Sequence, residues 1–104
     1  MVFQLGSTLL DACVLAVLTK GDAYGYTLTQ QLKAVLDISE STLYPVLRRL
    51  QKDGYLETYD EPYQGRNRRY YKITNKGENQ YTYYLTEWNN YKKSVDSLLG
   101  GEFK

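Results

Sequence analysis

Histidine is absent from this sequence, and neither a Cys-x-x-Cys pair nor a glycine-rich phosphate-binding loop occurs in it. Histidine is the usual general acid or base near neutral pH and a common metal ligand, so its absence removes the simplest catalytic and metal-binding arrangements. No pair of carboxylates has an evident reason to share a cleft either. We therefore predict that the protein is not an enzyme and that it uses no metal ion and no cofactor.

Cysteine and long apolar runs are also scarce. Cys13 is the single cysteine, so no disulfide can form within the chain, and a reducing compartment fits. Because Cys13 lies in an apolar helical run, a buried structural thiol is favoured over a reactive one. The longest apolar run, Ala12 to Leu18, is far shorter than the roughly 20 residues that span a bilayer, and no basic segment precedes it as in a signal peptide. We expect a cytoplasmic protein without a membrane segment.

Net charge is small but unevenly distributed. The formal charge of the 104-residue chain is +1. Between Ser41 and Lys76, eight lysines and arginines stand against four acidic residues, which leaves +4 in this segment and −3 in the rest of the chain. A basic face that is merely solvated is the alternative interpretation. Because the positive charges fall on two adjacent elements, the pattern favours binding to an acidic polymer such as DNA.

The first third of the chain predicts two helices. Ser7 is a plausible N-cap for a helix that runs to about Lys20, with Gly21 as its end. This helix is apolar on nearly every side, which indicates that one side packs within its own domain and another against a second subunit. Asp22 is the expected cap of a second helix, from about Ala23 to Leu36. Its inward-facing residues are expected to be Leu28, Leu32, Val35 and Leu36.

A third helix, capped by Ser39, separates apolar from polar side chains. Its inner side carries Leu43, Val46, Leu47 and Leu50. Its outer side carries hydroxyl and basic groups that suit phosphates and base edges. These form the first part of the predicted DNA-binding site, namely Ser41, Thr42, Tyr44, Arg48, Arg49 and Lys52.

Several of these residues have a second interpretation. Ser41 and Thr42 could equally serve only to cap the helix, and Tyr44 could pack beneath the hairpin that follows. Arg48 lies closer than Arg49 to the centre of the exposed face. It is therefore the preferred contact, since a guanidinium can bind guanine O6 and N7 together.

Two strands, Tyr55 to Tyr59 and Arg69 to Ile73, follow the third helix, and residues 60–67 have the composition of a loop between them. Arg66, Arg68 and Arg69 of this hairpin complete the predicted DNA-binding site. The alternative is a solvated loop, or an arginine bound to an acidic neighbour in the hairpin. Helices followed by a basic hairpin predict a mainly α (α+β) fold, a winged helix-turn-helix.

The last segment predicts one long helix. Asn75-x-x-Glu78 is typical of a capping box, and about 24 residues, or roughly 36 Å, follow before the glycines at 100 and 101. Aromatic and aliphatic residues then recur at steps of three and four, which is a coiled-coil seam: Tyr81, Tyr84, Trp88, Tyr91, Val95 and Leu98. Such a helix is too long for the preceding core alone. We predict a homodimer, with residues 1–74 as the DNA-binding domain and 75–104 as the dimerisation helix.

Three segments carry a resemblance to a known family. Thr42 to Leu56, Arg68 to Gly77 and Val14 to Leu28 resemble the PadR family of bacterial transcriptional regulators, and the likeness covers about residues 9 to 99. A short chain with one C-terminal helix is similar to the small subfamily, which includes a lactococcal multidrug-responsive repressor. The resemblance implies a dimeric winged-helix repressor whose first and last helices form the interface, so that Leu10 and Val14 join the seam.

The same resemblance implies a site for planar aromatic ligands between the two last helices. Trp88 matches the tryptophan that faces such a pore, and Tyr84 and Tyr91 are its neighbours on the seam. The surrounding tyrosines could either line a pore or fill it, and Trp88 could equally be an aromatic residue of a closed interface.

Together these features predict a cytoplasmic, homodimeric repressor that binds a double-stranded, pseudo-palindromic operator of its own and neighbouring genes. Release by a planar hydrophobic ligand is the expected control. The alternative is a winged-helix protein-interaction module without specific DNA binding. A third and weaker hypothesis is a small-molecule binder with a secondary role on DNA.

Overall fold

A computed structural model describes residues 7–100, with side chains from residue 8 onward. Four helices and a small antiparallel sheet make up this part of the chain. In chain order the elements are α1 (Ser7–Leu18), β1 (Ala23–Tyr24), α2 (Gly25–Leu36), α3 (Glu40–Lys52), β2 (Leu56–Tyr63), β3 (Arg66–Ile73) and α4 (Asn75–Leu99). The strands lie in the order β1-β3-β2. This is the winged helix that the sequence predicted.

The core lies between α1, α2, α3 and the base of the sheet. It is built mainly from aliphatic side chains, each of which contributes about 1.5–3 kcal/mol when fully buried. The buried apolar residues are Val14, Leu15, Leu18, Leu28, Leu32, Leu43, Val46, Leu47, Leu50, Leu56, Ile73 and Tyr84. The four inner residues predicted for α3 are all among them.

The region between α1 and α2 differs from the prediction. Helix α1 ends at Leu18, and any capping by the Ser7 side chain lies outside the described residues. Ala23 and Tyr24 pair with β3, so α2 begins only at Gly25 and Asp22 is not its cap. Asp22 instead accepts a hydrogen bond from the Tyr59 hydroxyl at 2.7 Å. Residues that the local sequence pattern assigned to a helix therefore pair with a strand far along the chain.

The prediction for one inward-facing residue of α2 is also wrong. Val35 is 80% exposed, whereas Leu28 and Leu32 are buried as predicted. Val35 lies on the rim of an open groove between α1 and α2. The helical period placed it near the inner stripe, but no described element packs over that edge of α2.

Helix α3 begins as predicted. The Ser39 side chain accepts a hydrogen bond from the backbone N–H of Thr42 at 3.3 Å, which satisfies one of the unpaired donors at the helix start. Pro45 lies within the helix, in its second turn, where it costs little hydrogen bonding. The helix therefore presents one continuous outer face from Ser41 to Lys52.

The hairpin is longer than predicted, and the proposed loop at residues 60–67 is mostly strand. Tyr63 pairs with Arg66, so only Gln64 and Gly65 form the turn, both with positive φ (49° and 78°). Such a two-residue turn matches the right-handed twist of an antiparallel hairpin. Pro62 is tolerated because β2 is an edge strand of the sheet.

Helix α4 begins one residue earlier than the predicted capping box requires. Thr74 is the N-cap, accepting from the N–H of Gly77 at 3.0 Å, and Asn75 is already helical. The Thr74 hydroxyl also donates to the Gly54 carbonyl oxygen at 2.6 Å, which ties the helix start to the end of α3. A side chain at Gly77 would collide with the Tyr55 carbonyl oxygen, so glycine permits this close approach.

Helix α4 has two halves with different surroundings. Tyr81 and Tyr84 pack on the core, whereas Leu98 and Leu99 are 62% and 83% exposed near its end. The helix is 25 residues long, about 37 Å at 1.5 Å per residue. Its second half therefore projects beyond the domain. Over residues 7–100 the structure has no helix that is long and apolar enough to cross a membrane.

Candidate nucleic-acid interface

The outer face of α3 exposes most of the residues that the sequence assigned to DNA. Ser41, Thr42, Tyr44, Arg48 and Lys52 are all exposed. The Ser41 and Thr42 hydroxyls lie 2.9 and 3.1 Å from the Ser39 hydroxyl, so both take part in the cap. A hydroxyl can make more than one hydrogen bond, and these two remain able to reach a phosphate or a base edge.

Arg49 has a different partner. Its guanidinium donates two hydrogen bonds to the Asp11 carboxylate of α1, at 3.0 and 2.5 Å. Asp11 is 4% exposed. The hydrogen bonds that Arg49 donates to Asp11 raise the pKa of its guanidinium above the ordinary value. The two neighbouring arginines of α3 therefore have different surroundings: Arg48 is exposed to solvent, and Arg49 forms an ion pair with Asp11. We therefore leave Arg49 out of the proposed DNA contacts.

Strand alternation separates the arginines of the hairpin. Arg66 and Arg68 lie on one face of β3 and Arg69 on the other. The Arg68 guanidinium lies between two aromatic rings, 4.5 Å from the Tyr24 centroid and 3.5 Å from the Tyr63 centroid. Such cation–π contacts hold the guanidinium in place while leaving its edge able to donate hydrogen bonds. The structure thus gives Arg68 a fixed position on the hairpin.

A row of tyrosines supports this face of the sheet. Tyr59 and Tyr70 stack across the strands with ring centroids 5.5 Å apart and planes 9° apart, and Tyr24 follows at 5.9 Å from Tyr70. The hydrogen bond to Asp22 raises the pKa of Tyr59 to about 12, because ionisation would break it and set two negative charges together. The row crosses the sheet from β1 through β3 to β2 at one level of the register, and Arg68 lies two residues nearer the turn on the same face of β3.

The opposite face of the sheet carries Tyr71, which is partly buried against the core. Burial raises the pKa of the Tyr71 hydroxyl, and the nearby positive charges of Arg69 and Arg48 partly oppose this. Tyr44 also lies close enough to influence it. Arg69 forms a long ion pair with Asp60 at 3.8 Å, so the acidic-neighbour alternative is confirmed for this arginine. Because both side chains are exposed, the pair is weak and leaves Arg69 able to bind a phosphate. The structure therefore brings both Arg48 and Arg69 near the Tyr71 hydroxyl.

Sequence reasoning named Tyr44 but missed Tyr71, which lies near both arginines. The alternation within Arg68-Arg69-Tyr70-Tyr71 was the available signal, because it places Arg69 and Tyr71 on the same face of a strand.

The seam of α4 is only partly available to a second subunit. Val14 is completely buried within the protomer and Tyr84 is 9% exposed, so Val14 has no exposed surface and Tyr84 has little. Leu10 and Tyr81 pack against the core while keeping part of their surface. Trp88, Tyr91 and Val95 are partly exposed, and the Trp88 and Tyr91 rings lie 6.4 Å apart. Both Val14 and Tyr84 belong to the core of the protomer, and their place in an interface stays a prediction.

A groove of about 960 Å³ runs between α1, α2 and the tyrosine face of the sheet. Its lining includes Cys13, Val17, Val35, Tyr70 and Tyr81. Burial raises the pKa of the Cys13 thiol, which keeps it protonated and unreactive at neutral pH. Within residues 7–100 no cluster of three or more metal-ligating side chains occurs.

A helix-turn-helix made of α2 and α3, followed by the β2–β3 wing with basic residues, defines a winged-helix DNA-binding protein. The chain belongs to the PadR-like family of transcriptional regulators, whose family description matches residues 14–83. Members of this family are transcriptional regulators and not enzymes, so the prediction of a non-enzyme is confirmed. Membership also implies that the chain binds DNA.

Several relatives share nearly the whole chain. The crystal structure of smu.1704 from Streptococcus mutans UA159 is 40% identical and has a TM-score of 0.88, covering 100% of this chain and 98% of that one. A PadR-like transcriptional regulator from Bacillus cereus strain ATCC 14579 is 32% identical with a TM-score of 0.80, covering 88% of this chain and 91% of that one. An uncharacterised protein of Lysinibacillus sphaericus is 32% identical over 97 residues, which are 88% of this chain and 89% of the relative.

Proposed function

We propose that this chain is a sequence-specific transcriptional repressor that binds its operator as a homodimer. One observation carries the proposal: the outer face of α3 exposes hydroxyls and Arg48, and Arg48, like Arg69 of the wing, lies close enough to Tyr71 of β3 to influence its hydroxyl. In this arrangement α3 enters the major groove, Ser41, Thr42, Tyr44 and Arg48 contact base edges or phosphates, and Lys52 contacts a phosphate. The wing arginines bind the flanking phosphates. Such a repressor acts in the cytoplasm, where its operator lies.

The second half of α4 supports the homodimer. Trp88, Tyr91, Val95 and Leu98 retain exposed surface on a helix that extends past its own core, and Leu10 of α1 also keeps part of its surface. An amphipathic seam of this kind is covered when two copies pack together. Residues 1–74 then read DNA and 75–104 dimerise. Dimer symmetry places the two α3 helices about one turn of DNA apart, roughly 34–36 Å, on a pseudo-palindromic operator.

The direct test is fluorescence anisotropy with labelled DNA from immediately upstream of the coding sequence and a scrambled duplex, each at two salt concentrations. Specific binding should exceed that to the scrambled duplex by on the order of a thousandfold. To remove the choice of operator as a variable, duplexes selected from a random pool should converge on an inverted repeat. Failure of that selection, together with no salt-sensitive binding to any duplex, would overturn the proposal in favour of a protein-interaction module.

The wing is expected to act through phosphates. Replacing Arg66 and Arg68 together by alanine should weaken binding to all duplexes and reduce the slope of log K against log salt by about one unit per lost phosphate contact. Titration of one operator at several salt concentrations measures this slope. Lys92→Ala with Lys93→Ala removes the same charge from the exposed surface of α4 and is the matched control. An equal slope change in both variants would show a general charge effect and remove the wing from the contacts.

Ligand control would act at Trp88 and Tyr91, where aromatic surface remains exposed and a planar molecule can stack. Tyr84 is left out because it is buried. A planar cationic dye should quench Trp88, which is the single tryptophan of the chain. Trp88→Ala should weaken binding as followed by the anisotropy of the dye itself. Unchanged Trp88 emission up to the solubility limit of the dye would mean that the aromatic side chains close the interface.

A further inference from the structure

Asp11 is a buried carboxylate at the junction of three helices. It belongs to α1, accepts two hydrogen bonds from Arg49 of α3, and lies 3.5 Å from the Tyr84 hydroxyl of α4, which donates to its Oδ2 atom. Its side chain is 6% exposed, against 43% for that of Arg49. Arg49 and Tyr84 lie 38 and 73 positions from Asp11 in the chain, so only the tertiary structure brings the three residues together.

The other charged or titratable groups near this junction do not replace these partners. Asp53 and Tyr84 influence the pKa of Arg49 through their charges and without a hydrogen bond, and Tyr55 influences the pKa of Tyr84 in the same way. Gln80, one turn earlier on α4, hydrogen-bonds to Tyr84. Asp11 is thus bonded to both α3 and α4 at mid-helix, whereas the other described bonds between these helices lie where α3 ends and α4 begins, such as that from Lys76 to the Asp53 carbonyl oxygen at 2.7 Å. A buried carboxylate depends on its hydrogen-bonding partners, so it follows them if either helix moves.

We propose that Asp11, Arg49 and Tyr84 are positioning residues that couple α4 to the recognition helix α3. Arg49 is the immediate neighbour of Arg48, so the bidentate pair fixes the α3 segment that carries the preferred DNA contact. Tyr84 is one turn before Trp88 on α4, where dimerisation and ligand control are proposed. A displacement of α4 therefore changes the bonding of Asp11, and through Arg49 the position of α3. This inference rests on the proposed function.

Coupling of this kind is reciprocal: if α4 biases α3, then DNA bound to α3 must change the surroundings of α4. The single tryptophan makes that change measurable, because all tryptophan emission comes from Trp88. Saturating the dimer with the selected operator should shift the emission of Trp88 in the wild type. DNA anisotropy recorded in the same titration reports binding independently.

The variant that tests the link is Tyr84→Phe, which removes only the hydroxyl that joins α4 to Asp11. We expect it to bind the operator within about tenfold of the wild-type affinity and to lose most of the Trp88 shift at saturation. Asp11→Asn, which removes the charge that Arg49 pairs with, should lose the shift as well. Tyr59→Phe is the matched control, since it removes another hydroxyl that donates to an aspartate, at the sheet, and it should keep the shift.

The outcomes separate the two hypotheses. If no duplex binds, the proposed function fails. If the operator binds but Trp88 does not respond, or Tyr84→Phe and the Tyr59→Phe control respond like the wild type, the coupling is overturned while the proposed function stands. Should Asp11→Asn fail to fold, Tyr84→Phe alone decides, because it leaves the Asp11–Arg49 pair intact.

Discussion

Arg49→Ala is expected to lower the free energy of unfolding by about 3 kcal/mol, the largest loss that we expect from any single arginine of this chain. The substitution leaves the Asp11 carboxylate buried without the guanidinium that binds it in two places. Breaking one side of a buried pair typically costs about 3–5 kcal/mol, and the lower end applies because Arg49 is itself partly exposed. Chemical denaturation measures the change, and the melting temperature should fall by more than about 10 °C.

The adjacent arginine provides the control. Arg48→Ala makes the same substitution one position away, on an exposed side chain for which the structure over residues 7–100 shows no ion pair, and it should change stability by less than about 0.5 kcal/mol. Arg49→Lys keeps the charge but cannot form the bidentate pair, so an intermediate loss is expected. All variants and the wild type should be compared at equal protein concentration, because the stability of a dimer rises with concentration. Equal stability of the Arg48 and Arg49 variants would contradict a structural role for the ion pair.

Arg48→Ala is expected to have the opposite profile, with a loss of DNA affinity of about 5- to 150-fold and little change in folding. This corresponds to about 1–3 kcal/mol, the typical value of one arginine contact to a guanine. Anisotropy titrations of the selected operator and of its single-base variants measure the effect. A contact to a base should relax specificity at one position of the half-site, whereas a contact to phosphate should weaken all duplexes uniformly and reduce the salt slope by about one unit.

Lys33→Ala is a suitable comparison for this experiment. Lys33 lies on α2 and pairs with Glu40 at 3.6 Å. It is not among the residues proposed to contact DNA, so its replacement removes one positive charge without removing a proposed contact. Its DNA affinity should stay within about twofold of the wild type, since exposed charges away from the contact are screened by salt. If Arg48→Ala and Lys33→Ala weaken binding equally, Arg48 acts only through the overall charge of the domain.

Much of the fold was predictable because local patterns and tertiary packing agree. The inner residues of α3, its Ser39 cap and the length of α4 all follow from helical period and cap chemistry, and the structure confirms each. The errors fall where a distant segment competes with the local pattern. Ala23 and Tyr24 pair with β3 instead of joining α2, and the hairpin pairs up to Tyr63 and Arg66 although its composition is that of a loop.

The sequence by itself determined the winged-helix fold, the outward hydroxyl and basic face of α3, and the resemblance to a family that the comparisons confirm. These depend on period, caps and neighbours a few residues apart. Only the tertiary structure gave Arg48 and Arg49 different surroundings, brought Arg48 and Arg69 near Tyr71, and showed Val14 and Tyr84 to be core residues. The physical reason is that burial and ion pairing depend on groups far along the chain, as Asp11 is from Arg49. A helical pattern shows which side chains share a face, but not which of them the rest of the protein covers.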